Sequence, residues 1–252
     1  MIARLRRLPF GLRVAFVGLA GLAVVAIALS LDPIPQPESF HDFADKRPLL
    51  GIPNFADVVS NLAFLVAGLA GLVVLRRRPA RLPYYGLALG LIAVCAGSGY
   101  YHWEPTTPRL YWDRLAMTVA FTSLTAAIVA DRIDRRAGLA LWPVLVLLGA
   151  AAATHWQQSE LAGAGDLRLY FLVQFVPALC LPLIVLLFED EIGAERYLVL
   201  MLACYAVAMV AEQGDKVVFQ ALGGTVSGHT LKHLAAALGG YMAFHRLRLA
   251  AP

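Results

Sequence analysis

The sequence is short of charge: only 15% of its 252 residues are Asp, Glu, Lys or Arg, against 60% hydrophobic. A soluble domain carries about 25% charged and about 45–50% apolar residues, so the shortage excludes an ordinary soluble globular fold. Cysteine is scarce too. Cys95, Cys180 and Cys204 lie in apolar segments without CxxC spacing, read as small core hydrophobes, and do not identify a redox compartment. A nucleic-acid partner is not expected despite the net charge of +4, because surplus Arg in a membrane protein is usually topological. Internal repeats are lacking, and polar residues do not run through the full depth of the apolar segments. Both absences count against a proton-coupled transporter.

What is present is a series of long apolar runs. A membrane span needs roughly 20 largely apolar residues, and eight segments qualify: about 10–31, 56–75, 83–102, 111–130, 138–155, 169–188, 196–213 and 228–245. In lipid the backbone must satisfy itself, which makes each run a helix. The expected fold is an all-α polytopic membrane helix bundle that sits in the lipid bilayer. The first run, after "MIARLRRLP", exceeds the about 7–15 residues of a signal-peptide core and reads as a retained helix.

Basic residues orient the bundle. Arg4, Arg6, Arg7, Arg76, Arg77, Arg78, Arg81, Arg132, Arg135, Arg136, Arg196, Arg246 and Arg248 fall on one side, thirteen in all. Lys46, Arg47, Arg109, Arg168 and Lys216 fall on the other. By the positive-inside rule both termini are cytoplasmic. Ser98 and His102 then end an outward span, Asp113 begins an inward one, and His229 and His233 begin the last, so five polar residues meet near the outer boundary although Ser98 and His229 are 131 residues apart.

His229 and His233 are four apart and share a helical face. Two such imidazoles are a half-site for zinc, and a catalytic zinc takes three protein ligands and keeps a fourth position open. His102 is the natural third ligand, with Ser98 one turn away. Ionisable groups at membrane depth are costly and usually functional. His155, in "ATHWQQ", reads as an interfacial residue beside Trp156, with a fourth-ligand role as the alternative. His245, next to Arg246, reads as a polar flank. Tyr100, Tyr101, Trp103, Tyr111 and Trp112 read as an interfacial aromatic belt.

The pattern S-x3-H, an Asp fifteen residues after the Ser, and H-x3-H in the last helix resembles the alkaline ceramidases. These belong to a superfamily of seven-helix membrane hydrolases and receptors that includes the adiponectin-receptor-like proteins. "NFADVVSNLAF", "EQGDKVVF" with Asp215 at an acidic position, and "GHTLKHLAAALGGYMAF" extend the likeness over about residues 41–245. The resemblance implies three regions: a basic segment with an extra helix (1–35), a seven-helix catalytic core (36–248) and a short cytoplasmic tail (249–252). It also implies hydrolysis of a ceramide-like lipid amide to a sphingoid base and a fatty acid. His102, His229 and His233 would hold zinc, Asp113 would relay the proton, and the Ser98 hydroxyl would donate to the oxyanion. Family members also carry a calcium site before the first core helix. Here Asp42 and Asp45 match it, Arg47 stands where an Asn ligand belongs, and Asn54 stands where a Glu belongs. A receptor-like or structural zinc protein of the same superfamily is the alternative reading. The inner loops of about ten residues and the tail "RLRLAAP" leave it little signalling surface.

Overall fold

In a computed structural model that describes residues 2–190 and 192–249, every long apolar run is a helix. Most of the expected tail, residues 250–252, lies outside the described residues. The helices are α1 (Phe10–Ser30), α2 (Phe55–Leu75, loosened at Ser60 and Asn61), α3 (Leu82–Trp103), α4 (Thr107–Arg132) and α5 (Arg135–Leu161). They continue with α6 (Arg168–Leu187), α7 (Glu195–Gln213), the short α8 (Asp215–Ala221) and α9 (Gly228–Arg248). Among the described residues there are six helices long and apolar enough to cross a membrane, or seven when α7 and α8, which meet at 84°, are taken as one bent span. The helix expected as the eighth span forms, but it is more polar than the others: α9 carries His229, Lys232, His233, His245, Arg246 and Arg248. Its partners explain why it tolerates them, since it packs against α7, α2 and α3.

Neighbouring helices in sequence are neighbours in space, α2 on α3, α3 on α4 and α4 on α5, with α9 closing the bundle between α2 and α7. A Cβ on Gly90 would stand 2.7 Å from the backbone of Ala120, so only glycine permits the α3–α4 approach. Helix α1 has no buried residue and packs on α6, which makes it a satellite of the bundle.

The ends of the bundle are built differently. At one end charges are internally paired. The Arg246 guanidinium, fully buried, donates to Asp131 at 2.7 Å and pairs with Asp190, while Tyr84 donates to Asp131 at 2.8 Å and Arg81 also reaches Asp131. Arg6 and Arg132 meet on Glu195 at 2.8 and 3.3 Å. At the other end lie the expected site residues.

Candidate metal centre

Two helices bring three buried imidazoles together. His102 ends α3, and His229 and His233 open α9; one ligand atom from each lies within 4.8 Å of the others. His229 Nε2 is 3.1 Å from His102 Nε2. Tetrahedral zinc with Zn–N of about 2.0–2.1 Å sets ligand nitrogens roughly 3.3 Å apart, so this pair is already spaced for a shared ion. Among the described residues this is the one group of three or more His, Cys, Asp or Glu side chains that could hold a metal ion.

The outer nitrogens of two rings are assigned. His233 Nδ1 is 2.8 Å from Ser60 Oγ, which donates to the Asp57 carbonyl at 3.1 Å. His229 Nδ1 is 3.4 Å from Glu212 Oε2, and Lys232 pairs with the same carboxylate oxygen. These contacts favour the tautomers with protonated Nδ1 and a free Nε2 lone pair, the arrangement that orients metal-binding histidines. His102 Nδ1 is buried without a hydrogen-bond partner. Ser60→Ala and Glu212→Gln are each expected to weaken metal binding about 10–100-fold, measured by chelator competition on the purified protein.

The start of α9 is fixed from several sides. Ser227 caps it, accepting from the Thr230 amide at 2.9 Å, and both hydroxyls donate to Asp57 Oδ1, at 3.1 and 2.8 Å. Asp215 accepts from the His229 amide at 2.8 Å and from the Ala44 amide at 2.8 Å. A Cβ on Gly228 would lie 2.2 Å from the Ala211 carbonyl oxygen, so this turn of α9 needs glycine to sit on the α7–α8 bend.

Ser98 and Asp113 are both buried, on the facing helices α3 and α4. The expected site residues on α3, α4 and α9 therefore converge.

Asp42, Asp45 and Asn54 have other partners. Asp42 lies between Lys46 at 2.5 Å and Lys216 at 2.6 Å, and these two lysines hold its exposed carboxyl down to about 2. Asp45 is buried, and Arg47 forks onto both of its oxygens at 2.8 and 2.6 Å, holding its carboxyl below the usual range despite burial. Asn54, left-handed at φ 45°, donates to the His102 carbonyl at 2.9 Å. Cationic side chains thus occupy the carboxylates expected to bind calcium. The segment instead delivers Phe43, whose ring lies 4.8 Å from His102 and 4.3 Å from His229.

Other expectations resolve individually. His155 is half-exposed, 3.7 Å from Asp166, and outside the histidine cluster. Its neighbour Trp156 is buried, with the Arg114 guanidinium 3.9 Å over its ring, rather than interfacial. Tyr100, Trp103 and Trp112 are exposed as a belt requires, but Tyr101 turns inward to His41, 2.8 Å away. His245 packs on Tyr197 at the opposite end of the bundle. The three cysteines are free. Sequence reasoning missed Ser60, Glu212, Lys232, Asp57, His41 and Phe43. Glu212 and Lys232 were reachable as polar residues within a turn or two of the histidine motif or the acidic Asp215. Compared with protein-family models, with curated proteins and with solved structures, the chain matches none.

Proposed function

We propose that this chain is an integral-membrane, zinc-dependent amidase that hydrolyses the N-acyl amide of ceramide-like lipids, releasing a sphingoid base and a free fatty acid. The convergence of three buried imidazoles, with Ser98 buried one turn before His102 and Asp113 buried on the facing helix, carries the reading. The spacing likeness to the alkaline ceramidases supports the choice of substrate. Three imidazoles with no thiolate suit zinc. With both termini cytoplasmic, as the arginine distribution favours, the site opens near the outer leaflet, where a lipid amide sits.

His102, His229 and His233 would hold the ion, which when bound polarises a carbonyl and lowers the pKa of water from about 15.7 toward 7. Asp113 accepts the proton of the attacking water and returns it to the leaving amine as the C–N bond breaks and the C–O bond forms. Ser98 donates to the oxyanion. Ser98 is a poor nucleophile here because all three nearby imidazoles are committed to the ion, leaving no neutral base to activate it.

The test is fatty-acid release from ceramides by purified protein of measured zinc content. Ser98→Ala is expected to lower the rate roughly 10²–10³-fold with zinc retained. No release from any N-acyl amide lipid by zinc-replete protein overturns the reading.

A further inference from the structure

A second feature lies back to back with the Ser98–Asp113 pair. Between α3 and α4 runs a groove of about 450 Å³, within the about 300–1,000 Å³ of small-molecule sites. Ala93, Ala96 and Gly97 form one wall, and Trp112, Leu115 and Val119 the other. The small residues of α3 leave the space. The larger ones of α4, three and four apart, line one helical face. Ala93 and Ala96 are exposed on the outer surface of the bundle, so the groove opens sideways, where lipid would lie.

Its two ends differ. Beyond Gly97 the groove reaches Tyr100, 49% exposed, and Trp112, 53% exposed. The Arg109 guanidinium lies 4.5 Å over the Tyr100 ring, donates to the Tyr100 carbonyl at 3.5 Å, and pairs with Glu104 at 2.6 Å. The rest of the lining named above is apolar. An apolar trough with a charged, aromatic rim at one end matches an amphiphile with one long chain and a polar head.

The groove also adjoins the site. Gly97 and Trp112 are the chain neighbours of Ser98 and Asp113, whose side chains are buried. A Cβ on Gly97 would stand 2.5 Å from the Trp112 carbonyl oxygen, so α3 and α4 touch here and a single residue's thickness separates trough from pair.

We propose that this groove seats one acyl chain of the substrate as it docks from the bilayer, with its polar end at the Gly97–Trp112 contact that separates the groove from the site. The proposal rests on the amidase reading for the identity of the lipid. Packing, not the hydrophobic effect, provides the selectivity, because bilayer chains are as apolar as the walls.

The test uses zinc-replete protein in phosphatidylcholine nanodiscs with a ceramide bearing a diazirine in its acyl chain. Photo-crosslinks are expected on residues 93–119, competed by excess unlabelled ceramide but not by added phosphatidylcholine. Ala96→Trp and Ala93→Phe fill the trough from exposed positions. Each is expected to cut crosslinking severalfold and shift hydrolysis toward shorter acyl chains, with zinc content unchanged. Crosslinks spread over the other helices, or competed equally by phosphatidylcholine, overturn the proposal, as does an unaltered chain-length profile in Ala96→Trp. Competed crosslinks on 93–119 without fatty-acid release would sink the amidase reading and leave the groove standing.

Discussion

His229→Ala is expected to leave the protein without its metal and without hydrolytic activity. Its amide is held by Asp215, its Nδ1 faces Glu212, and its Nε2 lies 3.1 Å from that of His102. Truncation leaves two imidazoles, too few for a stable catalytic zinc with three protein ligands. Loss of an outer partner alone weakens such sites about 10–100-fold, so removal of a ligand is expected to exceed about 100-fold. Zinc content after dialysis against a weak chelator measures it directly. His245→Ala is the matched control, because that ring packs on Tyr197 at the far end of the bundle. Equal zinc in both variants would mean that the cluster holds no ion.

Arg246→Ala is expected to produce the largest loss of stability. The guanidinium is fully buried and neutralises both Asp131 and Asp190, whose side chains are 1% and 2% exposed. Removing one partner of such a network strands buried carboxylates and costs about 3–5 kcal/mol. Burial pushes the Asp190 carboxyl up, and Arg246 outweighs it, so the group stays below its usual range. A depressed carboxyl stabilises the fold above its unfolded value and loses that contribution as pH falls through the folded one. The gap between wild type and variant is therefore expected to be full at pH 7 and to narrow below about pH 4. Thermal unfolding in detergent across pH measures it. An unchanged midpoint at pH 7 would show that water or Arg81 takes over the role.

The helices were legible because lipid imposes one rule on every span: an apolar run long enough to cross must satisfy its own backbone. The same rule explains where legibility failed. Helix α9 forms, yet its composition reflects partners on α2 and α7 rather than lipid, and hydropathy cannot report partners. Among the site residues, His229 and His233 were readable through their spacing of four, and His102, Ser98 and Asp113 through the alternation of span directions. Ser60 was not, since it serves a histidine on another helix. The acidic segment pairs its carboxylates with side chains. Asp42 and Asp45, which by resemblance read as calcium ligands, are paired with Lys46, Lys216 and Arg47. Lys46 and Arg47 belong to the segment itself, and only Lys216 comes from elsewhere.

The placement of the three imidazoles also bears on how the protein matures. One arrives on α3 and the other two 127 and 131 residues later, in the first two turns of α9. A nascent chain emerging in order holds a single ligand until its last helix is inserted. On the proposed reading, metal loading would follow insertion of the last helix, because a chain that stalls before residue 228 lacks two of the three imidazoles. The three imidazoles come together only when the bundle is closed.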